Sequence, residues 1–327
     1  MARGRFEQEL EAVRAALLER ESTTARKLLD KSVRSGNGHL VATIADALEH
    51  ADTELLAALP AAFGRLLEDP IKRDAGCRGK VAIARALDRA ELREVGVFEL
   101  GVRHVQHEPV FGGRVDTAGE LRGICGMALV HARAERAMIE VAVLLADRES
   151  RPRIAAARAL AASGDRAVAE PLLRLRIAMG ETEGEVLGEC FAALLELAGT
   201  AALDDVAAYL RHADPTVSEA AALALGGSRL AGAFAALRAA DDSLVGGNGR
   251  RIRLLAVALL RDAAAWAWLL EIVEHGSRPA AHDAVDALAT FRHDQELCVA
   301  LGSAAQRRGE AEISRRVDEA LGETPAS

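Results

Sequence analysis

One helical phrase recurs along the chain and fixes the kind of fold it can adopt. It reads Val81-Ala82-Ile83-Ala84-Arg85-Ala86-Leu87, then Ile154-Ala155-Ala156-Ala157-Arg158-Ala159-Leu160. It returns as Glu219-Ala220-Ala221-Ala222-Leu223-Ala224-Leu225 and as His282-Asp283-Ala284-Val285-Asp286-Ala287-Leu288. Looser copies lie around Leu48, Leu129, Leu194 and Leu259, so the intervals between successive leucines are 39, 42, 31, 34, 31, 34 and 29 residues. Self-similarity at that period implies stacked supersecondary units, each burying its apolar stripe against the next. Half of the residues are hydrophobic but only 3% are aromatic. Ala and Leu carry the apolar content, which favours helices packed through small side chains.

The apolar stripe Phe6, Leu10, Val13 and Leu17 predicts an opening helix over 4–20, inside a capping segment 1–21. Ser22 and Thr23 offer caps for the helix that follows, which stops at Gly36-Asn37-Gly38. Helical hairpins then fill 22–290. First helices are expected at 22–35, 52–68, 91–101, 135–146, 165–178, 200–211, 229–240 and 263–275. Second helices are expected at 39–50, 76–89, 117–132, 151–162, 184–198, 214–226, 249–261 and 278–290. Pro60 falls inside one first helix and should kink it. Helices near 295–307 and 310–321 close the array within 291–327, with Arg307, Arg308, Arg315 and Arg316 giving that end a polar face. The fold class is all-α: about eight hairpins in an α-α superhelix with helical end caps.

Two stretches carry a family resemblance. Asp214-Pro215-Thr216-Val217-Ser218-Glu219-Ala220-Ala221-Ala222-Leu223-Ala224-Leu225-Gly226 resembles the second helix of a HEAT repeat, including the Asp-Pro that opens it. Asp147-Arg148-Glu149-Ser150-Arg151-Pro152-Arg153-Ile154 and the phrase after it resemble a second copy. Asp214 can cap the helix, and Pro215 suits its first turn. The resemblance is specific over 135–290 and weaker over 22–134. It implies an armadillo-like solenoid with a concave binding surface, but no one activity, since such arrays serve many.

The repeat breaks most clearly at 101–123, which lengthens the interval between Leu87 and Leu129. Pro109 and Gly112-Gly113 forbid a continuing helix there. Val102, Val105, Val110 and Phe111 are expected to anchor this loop on the body. Thr117 and Glu120 are spaced as a capping box for the next helix. The loop gathers Arg103, His104, His107, Glu108, Arg114, Asp116 and Arg122. Two readings stand: a ligand-contacting element, or an ordered insertion whose charges pair internally. His104, His107 and Glu108 do not make a metal site, because the H-E-x-x-H order and further ligands are missing. A di-iron hydroxylase of the deoxyhypusine type would need several His-Glu dipeptides, and His107-Glu108 is the only one.

A second break, Asp241-Asp242-Ser243-Leu244-Val245-Gly246-Gly247-Asn248-Gly249, leads into Arg250, Arg251 and Arg253. It lacks the Gly-x-x-x-x-Gly-Lys pattern of a nucleotide loop and reads as a linker. Several second helices begin with cations: Lys80, Arg122, Arg151, Arg153, Arg250, Arg251 and Arg253. Helix N-termini disfavour cations by about 0.3–1 kcal/mol each, so the pattern needs a reason. It is either a ridge for an anionic partner or pairing with loop aspartates such as Asp147, Asp214 and Asp241. Trp266 and Trp268 stand two apart, so one helix face cannot bury both.

The net charge of -8 argues against wholesale polyanion binding. Lys27, Lys31, Lys72 and Lys80 are the only lysines among 41 basic residues, a bias that GC-rich, bacterial-like codon usage explains. Cys77, Cys125, Cys190 and Cys298 show no C-x-x-C pair, which suits a reducing compartment. No leader-like apolar segment opens the chain, and no apolar run reaches membrane-span length, so a cytoplasmic location is expected. The expected function is a non-catalytic, cofactor-free scaffold for a protein or peptide, with Lys80, Arg85 and the 101–123 loop as contacts. Alternatives are a nucleic-acid binder resembling the HEAT-like alkylpurine DNA glycosylases and a lyase resembling HEAT-like bilin lyases. Scarce aromatics weigh against the first, and the lack of a nucleophile–base pair against the second.

Overall fold

The computed structural model of the chain describes residues 2–20, 22–240 and 247–322, the side chains of 2–4, 247 and 248 excepted. Helices dominate it, and they divide into two compact units, Met1–Ser163 and Gly164–Ser327.

Unit 1 opens with α1 (Ala2–Leu18), α2 (Thr23–Val33), α3 (Gly38–Ala47) and α4 (Thr53–Glu68). The short α5 (Pro70–Arg73) and one 3-10 turn lead into α6 (Arg78–Arg89) and α7 (Val95–Val102). A two-stranded ribbon follows, β1 (His107–Val110) and β2 (Gly113–Asp116), then α8 (Gly119–His131), α9 (Ala137–Leu144) and α10 (Ser150–Ser163). The second helices pack on one another in sequence: α3 on α6, α6 on α8, α8 on α10.

Unit 2 holds α11 (Arg166–Ala178), α12 (Gly184–Ala198), α13 (Leu203–Ala207) flanked by 3-10 turns, α14 (Pro215–Ser228) and α15 (Ala233–Ala239). It continues with α16 (Gly247–Leu259), α17 (Ala263–His275), α18 (Arg278–Ala289), α19 (Gln295–Arg308) and α20 (Ala311–Leu321). The same order of packing appears: α12 on α14, α14 on α16, α16 on α18, α18 on α20.

The repeated phrase supplies both cores. Leu48, Leu87, Leu129, Leu160, Leu194, Leu225 and Leu288 are all buried, and each such side chain contributes about 1.5–3 kcal/mol. Small residues set the helix spacing. A Cβ on Gly79 would fall 2.8 Å from the Cα of Gly38, and one on Gly226 would fall 2.2 Å from the carbonyl oxygen of Ala256. Helix starts are capped where the sequence offers short acceptors. Asn37 accepts from the backbone N–H groups of His39 and Leu40, Asp214 from Thr216, and Asp262 from Ala264 and Ala265.

Pro60 lies inside α4, as expected, and two other local expectations change. The first helix expected at 200–211 breaks into 3-10, α and 3-10 segments. Thr117 does not form a capping box with Glu120, because its hydroxyl donates to the Gln106 carbonyl and the Glu108 carboxylate instead. The stretch Gly184–Arg211 is long and apolar enough to cross a membrane by length and composition alone. Over half of its most apolar window, 56%, is buried inside the fold.

Candidate functional site at the inserted ribbon

The insertion is not irregular. His107 pairs with Asp116, Glu108 with Val115, Pro109 with Arg114 and Val110 with Gly113, in antiparallel register around Phe111-Gly112. Gly112 has φ +86° while Phe111 before it does not have a positive φ, the type II pattern that favours Gly at the second central residue. Pro109 is tolerated because each strand of a two-stranded ribbon has a free edge, where a missing N–H breaks no ladder bond.

A buried polar network holds the ribbon to the helices. It starts at Asp74, just before α6. The Asp74 carboxylate accepts from the backbone N–H groups of Gly79 and Lys80, at 2.7 and 3.0 Å, and from Lys80 Nζ at 2.8 Å. A Cβ on Gly38 would lie 2.3 Å from Asp74 Oδ1, so this carboxylate also sits against the start of α3. Negative charge between two helix N-termini is favourable. Gln106 Nε2 donates to the Asp74 carbonyl at 2.8 Å and to Glu108 Oε1 at 2.6 Å. Glu108 also accepts from Gly76 N and Thr117 Oγ1. Burial works to raise the Glu108 pKa, but these three hydrogen bonds together hold it below the usual carboxylate range.

Arg122 closes the network. Its Nε and Nη2 grip the Asp147 carboxylate at 2.7 and 3.0 Å, while Nη1 donates to Asp116 Oδ2 at 2.6 Å and to the His104 carbonyl at 3.0 Å. Asp116 further accepts from Gln106 N and Ala118 N. Burial pushes its pKa up, yet these donors and Arg122 bring it below normal. His104 is held below its ordinary value by burial, partly offset by the hydrogen bond to Gln106. Cys77, buried beside Lys80, has its thiol pushed up to about 12, chiefly by desolvation. It is therefore a thiol rather than a thiolate near neutral pH.

The expected contact residues thus separate by role. Lys80 and Arg122 are buried inside this network, and His104, Glu108 and Asp116 join it half-buried. Arg153 is also buried and donates to the carbonyls of Asp147 and Arg148, and Arg253 donates to the Ala240 carbonyl. At these helix starts the Lys80 ammonium and the Arg122, Arg153 and Arg253 guanidiniums thus point into carboxylates and carbonyls, whereas Arg151 is exposed. Arg103 is exposed and paired with Glu140, which lowers the pKa of that carboxylate. Arg85 pairs with Glu120, and Arg250, in the other unit, with Asp283. Arg251 is exposed. Asp241–Gly246, the core of the second break, lie outside the described residues.

The ribbon's outer part is the opposite of the expected anchor. Val102 is buried, but Val105, Val110 and Val115 are exposed and Phe111 is fully so. His107 and Arg114 are exposed beside them, with Arg114 Nη2 donating to the His107 carbonyl. Sequence reasoning missed Asp74 and Gln106, which hold the centre of the network. The available signal for Asp74 was an acid just ahead of a helix start. Trp266 and Trp268 are both used in packing: Trp266 donates to the Ala258 carbonyl and leans on Phe291, and Trp268 meets Phe234 edge-on. Among the described residues, no group of three His, Cys, Asp or Glu could hold a metal ion. No model of a known protein family matches the chain, and no curated protein matches it.

Proposed function

We propose that the chain is a non-catalytic HEAT-like repeat protein of the cytoplasm that binds a protein partner, with the 107–116 ribbon as its contact element. The repeat period and the second-on-second helix packing within each unit support the HEAT-like reading. One observation carries the binding reading: the ribbon is ionically fixed at its base and apolar at its tip. Of the seven Phe residues, six are buried or half-buried, and Phe111 alone is fully exposed. An exposed Phe gives up about 1.5–3 kcal/mol of burial, which only a partner can recover. Aromatic side chains on a rigid support are the usual anchors of protein interfaces. Asp74, Glu108 and Asp116 each accept three hydrogen bonds or more, and the buried Cys77 thiol is not activated. This supports a structural rather than catalytic base.

A photo-crosslinking residue at Val110, in the full chain exposed to extract of the source cells, tests the proposal. A discrete adduct that disappears with Phe111→Ser is the expected result. The same crosslinker at exposed Val299 sets the background. Adducts from position 110 that match that background, or that survive Phe111→Ser, would refute the proposal.

A further inference from the structure

α8 and α10 each carry a second stripe, away from their core face. On α8 the core positions include Leu121, Cys125 and Leu129, while Glu120, Ile124 and Met127 follow the i, i+4, i+7 spacing of another face. On α10 the core includes Ala156, Ala157 and Leu160, while Arg151, Ile154 and Arg158 recur at i, i+3, i+7. The stripes meet closely, since a Cβ on Gly123 would stand 2.8 Å from the Cβ of Ala155. Between them lies an open groove of about 460 Å³. Ile124, Met127 and Ile154 form its half-buried floor.

The rim is basic although the chain as a whole carries -8. Glu120 sits between two guanidiniums: Arg85 Nη2 is 2.6 Å from one oxygen and Arg151 Nη1 is 3.7 Å from the other. Arg151 is 76% exposed and Arg85 47% exposed. Arg85 also comes within 4.0 Å of Asp46, at the limit of an ion pair. Arg158 lines the far end of the groove. One carboxylate between two arginines leaves guanidinium hydrogen-bonding capacity facing solvent beside an aliphatic floor.

We infer that this groove docks an acidic, apolar peptide segment of a partner protein. A bulky aliphatic or aromatic side chain covers Ile124, Met127 and Ile154, and flanking carboxylates meet Arg151 and Arg85. Guanidinium forks match carboxylates in geometry, and a flexible methionine adapts to varied apolar shapes. A polynucleotide fits less well, because Glu120 stands in the rim and the floor offers no aromatic surface for bases. None of the ribbon residues lines this groove, so a peptide held here is independent of contacts at the ribbon tip.

The test is selection of random dodecapeptides displayed on phage against the immobilised full chain. Synthetic copies of the enriched peptides, fluorescently labelled, are then titrated by anisotropy. Enriched sequences should combine Asp or Glu with Leu, Ile or Phe, and should weaken as salt rises. They should bind wild type and Phe111→Ser equally. They should bind Arg151→Glu, a change at an exposed position that leaves the fold intact, about tenfold or more weakly, as loss of an interface anchor does. Enrichment of basic or uncharged peptides, no enrichment, undiminished binding to Arg151→Glu, or displacement by a single-stranded oligonucleotide would each overturn the inference.

Discussion

Replacing Arg122 by methionine probes the network that fixes the ribbon. The Arg122 side chain is only 5% exposed, and it faces two carboxylates, Asp116 at 7% and Asp147 at 14%. Methionine keeps most of the aliphatic stem but removes the positive charge and four hydrogen bonds, one of them to the His104 carbonyl. Breaking a buried ion pair from one side costs about 3–5 kcal/mol, because the remaining charge stays desolvated. Asp116 keeps donors from Gln106 N and Ala118 N, and Asp147 keeps one from Glu149 N, so the lower end, about 3 kcal/mol, is expected. That is a large share of the roughly 5–15 kcal/mol that holds a typical domain. Hydrogen exchange read by peptide mass spectrometry suits a chain with two units, since it reports local opening. Amides of 104–118 should exchange roughly a hundredfold faster in Arg122→Met, the ratio that about 3 kcal/mol implies. Adding Asp116→Asn and Asp147→Asn should recover part of the loss by removing the orphaned charges. Arg85→Met, which breaks an exposed pair, should cost no more than about 1 kcal/mol. If Arg122→Met leaves exchange over 104–118 unchanged, the ribbon is not held by this network.

Three further outcomes are expected. Gly226→Ala should destabilise unit 2 by about 1–3 kcal/mol, because its Cβ meets the backbone of Ala256. Gly64→Ala, at a mid-helix position with open space around it, should stabilise unit 1 by about 0.5–1 kcal/mol; denaturant titration checks both. Stability should fall on acidification in two stages, because His104, Glu108 and Asp116 all have pKa values depressed by folding. The His104 contribution is whole above its ordinary 6.5 and erodes below it, while those of the two carboxylates are whole above 4.5 and 3.8 and are lost as pH drops through their lower folded values. Asp116→Asn should flatten the acid stage of a pH-dependent melting series. Native-state labelling with a thiol reagent should modify half-buried Cys298 first, whereas Cys77 and Cys125, buried and with raised pKa values, should react only through opening.

The helices were legible because each signal is local. A stripe at helical spacing, an Asp or Asn before it and a Pro in the first turn are read within one element. Asp214 and Pro215 therefore stand where the sequence puts them. The ribbon was less legible. Its strands are four residues long, and Pro109 within one of them weakens any strand pattern. Pro109 and Gly112-Gly113 marked only the break in the helix, not the hairpin. The apolar residues near the turn suggested anchoring because burial is the default fate of Val and Phe, and only tertiary placement reveals that they face solvent. Charge roles were harder still. Arg122 could reach Asp147, 25 residues on, only because α8 and the loop before α10 lie together, and spacing alone does not show that. Its pairing with a loop aspartate of the next hairpin was an expectation from repeat packing, and the structure places that contact. The pairing of Lys80 with Asp74 depends on a left-handed turn at Gly76 and Cys77 that no hydrophobic pattern encodes.

Phe111 is the residue on which partner binding by the ribbon turns. With the partner captured by the ribbon crosslink and purified, its Kd for the wild-type chain is measured beside that for Phe111→Ser. The substitution removes a fully exposed side chain, so the melting curve should not move. Affinity should be at least about tenfold weaker with an unchanged melt. Equal affinities for the two chains would contradict a binding role for Phe111.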